Sequence, residues 1–242
     1  MNKLNISDPR SVARENPGLL DALFPQLTPG IVGLLNRSAT PGNCSPISNE
    51  MIAGSKLQKA MLFELAYAAS ESLISEEHVD WDSCLNLAVE RQRHHFDASI
   101  PDSITDSDKL AALSVAENLS RMILDISASA SQPVVKQPLM PGYQWISTGR
   151  GDFSIGSTLI EVKCTGKNFS AADYRQILIY WLLSFANSLE KGGVEWQTGI
   201  LLNPRSATLV LFEFKELLHV VCAGRSKIEV LLLFSSMVES TH

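Results

Sequence analysis

The sequence has no long apolar segment. Its longest apolar runs, residues 177–183 and 230–234, fall well short of the eighteen or so residues that a membrane-spanning helix needs. The first residues contain no apolar core of the secretory type, so no signal peptide is expected. Cysteine is scarce. Cys44, Cys84, Cys164 and Cys222 stand far apart and form no C-x-x-C pair, so they offer neither a disulfide framework nor the spacing of a zinc or iron–sulfur site. They read as reduced thiols of a cytoplasmic protein. No Walker motif is present, so a nucleotide-driven motor would have to be a separate protein. An excess of basic charge is also lacking. The formal net charge is −6, with 8 Lys and Arg against 13 Asp and Glu in residues 1–105, and 12 against 13 in residues 106–242. Net charge therefore does not announce a nucleic-acid binder, although a local basic cluster remains compatible with one.

What the chain does have is ordinary globular composition. Of its 242 residues 45% are apolar and 19% charged, enough for one large domain or two small ones. Residues 1–105 read as a helical region for contact with a partner or substrate. Asn16-Pro17-Gly18, Thr28-Pro29-Gly30 and Thr40-Pro41-Gly42 are turn signals. Helical spacing covers residues 48–75 and 80–96, and the polar stretch 97–108 around Pro101 reads as a linker. From residue 106 the pattern changes. A helix is predicted over 107–126, capped by Asp106 or Ser107. Strands are predicted at 134–139, 152–155 and 158–164. A long helix follows over 171–190, with Ser170 as its cap, Asp173 three residues on, and Gly192-Gly193 at its end. Strands at 199–203 and 208–214 come next, then an apolar run, 228–234, of ambiguous type. This order predicts an α/β fold in which helices flank a mixed sheet.

The informative stretch runs from Gly151 to Lys163. Gly156-Ser157 between two β-like runs suits a two-residue type II′ turn, whose first central residue needs a positive φ. The register then follows: Ile155 opposite Thr158, Ser154 opposite Leu159, Phe153 opposite Ile160, and Asp152 opposite Glu161. Alternation puts Phe153, Ile155, Ile160 and Val162 on one apolar face, and Asp152, Glu161 and Lys163 on the other. Two carboxylates so paired, with Cβ atoms roughly 4.5–5.5 Å apart, destabilise a sheet. A site for Mg²⁺ or Mn²⁺ explains them, because hard divalent ions take oxygen ligands and often use one or two carboxylates plus substrate phosphate. Lys163 on the same face can orient an attacking water or offset charge on a phosphate.

On these residues the chain resembles the PD-(D/E)XK nuclease superfamily, in which an acid on one strand precedes (D/E)-x-K on the next. Asp152 matches the first acid and Glu161-Val162-Lys163 the second part, with Gly151 where the family often has proline. Gln176 and Tyr180 are similar to the Q-x-x-x-Y of the RecB-like and Cas4-like branch, and four-residue spacing puts them on one helix face. The resemblance spans roughly residues 106–215. It implies a restriction-endonuclease-like α-β-β-β-α-β core behind the helical N-terminal region, with a nuclease-like domain over 106–242. It further implies cleavage of phosphodiester bonds, of DNA above all, at a Mg²⁺ or Mn²⁺ ion held by Asp152 and Glu161, with Lys163, Gln176 and Tyr180 in catalytic roles. The family's helix acid would fall on Glu117, as a third metal ligand. A separate ATPase or helicase partner, and a role in restriction, anti-phage defence or repair, belong to the same resemblance.

Other residues divide between functional and bland roles. Arg150, Lys167 and Arg175 are near enough in sequence to hold phosphates, though each alone reads as a solvated cation. Tyr180 would also pack well against a sheet. His94 and His95 point in different directions on a helix and do not chelate together. Glu64 and Glu71 read as surface acids. A homo-oligomer is compatible with the sequence. The rival to the enzyme is a non-catalytic DNA- or protein-binding subunit that kept the fold.

Overall fold

The computed structural model describes residues 8–93 and 101–240. His94 and His95 lie outside them. Among the described residues ten helices and eight strands form a mixed α/β fold. None of these helices is long and apolar enough to cross a membrane.

The N-terminal region supplies α1 (Pro9–Glu15), α2 (Pro17–Leu23), α3 (Pro29–Arg37), β1 (Thr40–Pro41), α4 (Asn49–Gly54), α5 (Lys59–Ile74) and α6 (Trp81–Gln92). Two of the expected turns are helix starts instead. Asn16 and Thr28 are N-caps, each followed by a proline at the first helical position, where a missing N–H costs nothing and φ is already set. Thr40-Pro41 pairs with Thr208 and Leu209 at the sheet edge. The helix expected over 48–75 breaks after Gly54, where Ser55 is extended.

α7 (Asp106–Ala130) explains that break. Its N-cap is Thr105 rather than Asp106 or Ser107, because Asp108 at the third helical position reaches back to the Thr105 N–H and closes a capping box. The carboxylate of buried Asp108 also accepts the Ser55 hydroxyl at 2.7 Å and the Lys56 N–H at 2.8 Å. Burial alone would raise its pKa, but the hydrogen bonds from Ser55, Thr105 and Lys56 hold it down to about 2. A carboxylate depressed on folding adds stability above its unfolded pKa that is lost as pH falls through the folded value. Asp108→Asn is therefore expected to lower unfolding free energy by about 2 kcal/mol at neutral pH and by much less near pH 2. Denaturant titration at the two pH values checks this.

The remaining elements are β2 (Val134–Lys136), β3 (Leu139–Met140), β4 (Gly149–Arg150), β5 (Phe153–Ile155), β6 (Thr158–Val162), α8 (Ala171–Lys191), β7 (Thr198–Asn203), β8 (Thr208–Glu213), α9 (Phe214–Val221) and α10 (Lys227–Ser240). The six-stranded sheet runs β1-β8-β7-β6-β5-β2, and β3 and β4 form a separate ribbon. β6 and β7, joined through α8, are parallel, and every other neighbouring pair is antiparallel. The ambiguous run 228–234 is helical, and its buried Val230, Phe234 and Val238 recur every fourth residue.

Helices cover both sheet faces. On one, Phe153, Ile155, Ile160 and Val162 pack with Tyr67 of α5 and Leu119, Met122 and Ile123 of α7. On the other, Leu159 and Leu201 pack with α8, α1 and α2. The expected division at residue 105 does not coincide with a break in packing. α5 lies along α7, sharing a core of Leu65, Ala69, Ala112 and Val115, and α1 lies on α8.

Candidate active site

The β5–β6 hairpin holds the expected register, with Phe153 opposite Ile160, Ser154 opposite Leu159 and Ile155 opposite Thr158. Gly156 has φ 56 and is the only residue of the two-residue turn with positive φ, as a type II′ turn requires. Asp152 sits one residue before β5, so it departs from simple cross-strand pairing with Glu161. Its side chain turns to the backbone, and Oδ2 accepts the Val162 N–H at 2.7 Å. Its own carbonyl accepts the Tyr67 hydroxyl at 2.7 Å. The preceding Gly151 donates its N–H to the Pro138 carbonyl at 2.9 Å, a bond that a proline could not make.

Glu161 projects toward α8 and is 1% exposed, beside Asp152 at 7%. Its Oε1 accepts Lys163 Nζ at 2.8 Å and Gln176 Nε2 at 2.6 Å. Gln176 also accepts from Lys163 Nζ at 2.8 Å and donates to the Tyr180 hydroxyl at 2.9 Å. The helix carrying the last two is fixed by the expected cap. Ser170 and Asp173 form a capping box, and Gly192 ends the helix at φ 72. Glu161, Lys163, Gln176 and Tyr180 thus form one connected network. Burial raises the Glu161 pKa, and the neighbouring Asp152 adds to it, against the opposing pull of Lys163 and Arg10. Burial likewise lifts the Tyr180 phenol well above its ordinary value, so it stays a neutral hydroxyl, and it accepts from Gln176.

Two cavities meet at this network. The larger, about 620 Å³, is bordered by Asp152, Tyr180, Glu64 and the guanidinium-bearing Arg10, Arg14, Arg91 and Arg150. The smaller, about 340 Å³, is bordered by Asp152, Glu161, Lys163 and Lys59. Arg10, Arg14, Phe63 and Glu64 border both.

The other expected residues are placed differently. Glu117 is exposed on α7 and borders neither cavity. Glu64 of α5 does border both, and it is no surface acid: it is half-buried near Arg91, its pKa raised by burial. Glu71, also expected at the surface, pairs with Arg91 at 2.6 Å. Arg150 borders the larger cavity and donates to the Gln137 carbonyl at 3.1 Å. Lys167 is exposed in the loop before α8, and Arg175 is ion-paired to Asp21 of α2. Sequence inspection missed Arg10 and Tyr67 and read Glu64 as a surface acid; all three come from helices far upstream with no local motif to mark them.

The donor set is two buried carboxylates. Glu161 Oε2 is buried without a hydrogen-bond partner, an unusual state for such an atom and one that a cation would relieve. Among the described residues no cluster of three His, Cys, Asp or Glu side chains forms a complete protein cage. A pair of carboxylate oxygens is a donor set that Mg²⁺ or Mn²⁺ can take, since magnesium in particular keeps several waters and substrate oxygens in its coordination sphere. Comparison of the chain with known protein families, curated proteins and solved structures finds no match.

Proposed function

We propose that this protein is a Mg²⁺- or Mn²⁺-dependent nuclease of the PD-(D/E)XK type that hydrolyses phosphodiester bonds, with DNA as substrate. The observation that carries this is the connected network of Glu161, Lys163, Gln176 and Tyr180 beside Asp152, opening onto cavities bordered by arginine and lysine. Four residues read from the sequence as a motif lie in hydrogen-bond contact. The order of α7, an antiparallel β2-β5-β6 set, α8 and a β7 parallel to β6 also supports it.

Asp152 and Glu161 would hold the divalent ion. When bound, such an ion supplies Lewis-acid chemistry, offsetting charge on phosphoryl oxygens and making water a better nucleophile at neutral pH. Lys163, positioned by Glu161 and Gln176, presents its ammonium to the smaller cavity, where it can offset charge developing on the attacked phosphate. Gln176 fixes that ammonium, and Tyr180 fixes Gln176. Arg14, Arg91 and Arg150 can neutralise backbone phosphates on the other side. Glu64, which borders both cavities, is the acid to which we assign the third-ligand role that the resemblance gave to Glu117. A separate ATPase or helicase partner, and work in defence or repair, are proposed on the resemblance alone.

The test is incubation of the purified protein with single- and double-stranded DNA, linear and circular, in Mg²⁺, Mn²⁺ or EDTA. Cleavage confined to the metal-containing reactions is expected. Absence of cleavage of all four substrates would favour the binding-subunit alternative. The network makes a further distinction. Tyr180→Phe removes one hydroxyl and is expected to shift melting by only a few degrees while slowing cleavage several-fold. Gln176→Ala leaves buried Glu161 a donor short, at a cost of about 1–3 kcal/mol, and is expected to lower both rate and melting temperature. Thermal melts beside cleavage assays read the difference, and normal cleavage by folded Tyr180→Phe would make that hydroxyl structural only.

A further inference from the structure

We propose that Arg10 is a tethered cation paired with the Asp152 oxygen that a divalent ion would draw on, so that metal entry and the Arg10–Asp152 ion pair compete. The inference rests on the metal site proposed above. Arg10 Nη2 lies 3.2 Å from Asp152 Oδ1. The other oxygen, Oδ2, is engaged by the Val162 N–H. On Glu161, Oε1 already accepts from Lys163 and Gln176, and only Oε2 is without a partner. Withdrawing Oδ2 would leave the Val162 N–H unpaired, so Glu161 Oε2 and Asp152 Oδ1 are the oxygens that would be offered to a cation held by the two carboxylates. The second of these is the atom that Arg10 holds.

The guanidinium is delivered by a fixed element. Asp8 caps α1 through the Arg10 and Ser11 N–H groups, and Val12 and Ala13 are buried in the core shared with α8. Arg10 is thus a standing occupant, and its charge would repel an arriving dication at close range. It borders both cavities, so once off Asp152 it stays within reach of an anion there. Guanidinium suits phosphate as well as carboxylate. The metal-free protein keeps Asp152 neutralised, and the residue that neutralises it becomes available to substrate when metal arrives.

The experiment is calorimetric titration of the full chain with Mn²⁺, without substrate, for wild type, Arg10→Ala, Arg10→Gln and Arg10→Lys, with Asp152→Asn as control. Arg10→Ala and Arg10→Gln are expected to bind Mn²⁺ about tenfold more tightly than wild type, by the scale of a unit charge removed from beside the ion at a partly screened site. Arg10→Lys is expected to fall between, because it keeps the charge and loses the fork. Hydrogen exchange at residues 8–16 is expected to rise in wild type on adding Mn²⁺. Equal affinity in wild type and both neutral variants, or weaker binding by the variants, overturns the competition while leaving the metal site standing. Absence of Mn²⁺ binding in wild type and all Arg10 variants overturns the site and the competition together.

Discussion

Asp152→Asn, Glu161→Gln and Lys163→Ala are each expected to reduce DNA cleavage by at least about a thousandfold, the scale on which groups acting as a unit fail when one is removed. The structure shows why they would act together. Lys163 is placed by Glu161 and Gln176 at 2.8 Å each, so loss of the Glu161 charge also removes the lysine's closest anionic partner. Asp152 is held at the mouth of the site by Tyr67 and Val162, and an amide there cannot give the same charge. Combining two substitutions is expected to add little to either alone. The measurement is initial cleavage rate under the metal condition that supports wild type, with circular dichroism to confirm that each variant is folded. Wild-type rates in all three variants would remove these residues from the chemistry.

The arrangement of side chains on the β5–β6 hairpin and on α8 was legible in the sequence because local rules determine both. A positive-φ glycine fixed the hairpin register, and alternation then assigned faces. A Ser170–Asp173 capping box and a terminal glycine bounded α8. What lies around that hairpin was not legible. Arg10 meets Asp152 across 142 residues of sequence and Tyr67 meets it across 85, and no periodicity encodes such contacts. Glu117, expected as a helix acid of the site, faces away from the cavities for a geometric reason. α7 turns Val115, Leu119, Met122 and Ile123 inward, and Glu117, two positions from Val115, is rotated about 200° away. Glu64 of α5, a helix that the sequence assigned to another region, lies at the cavities instead. The boundary drawn at residue 105 followed a shift in composition, while the packing of α5 against α7 and α1 against α8 ignores it.

The two carboxylates also predict opposite effects of one substitution with and without metal. In EDTA at neutral pH, Glu161→Gln is expected to melt at or above the wild-type temperature. Glu161 is buried beside Asp152, and its pKa is raised. A folded-state pKa above the unfolded value, about 4.3, means that the folded protein binds the extra proton. That contribution is full below the unfolded pKa and is lost as pH rises through the folded one. The glutamine variant does not suffer this loss. Its amide oxygen can keep the bonds from Lys163 and Gln176, and its NH₂ takes the position of Oε2, which accepts nothing. Asp152→Asn is expected to melt below wild type in EDTA. Both Asp152 oxygens are engaged, by Val162 and by Arg10, so an amide sets a donor against one of them, at about 1–3 kcal/mol. Saturating Mn²⁺ should then reverse the order of wild type and Glu161→Gln. Wild type gains about 2.7 kcal/mol when the ion is at a hundred times its dissociation constant, and a variant lacking a ligand gains little. Differential scanning fluorimetry of the three proteins in EDTA and in Mn²⁺ reads every arm. Equal Mn²⁺-induced shifts in all three would sink the metal site, and a Glu161→Gln protein that melts well below wild type in EDTA would show that the Lys163 pair outweighs the cost of the buried charge.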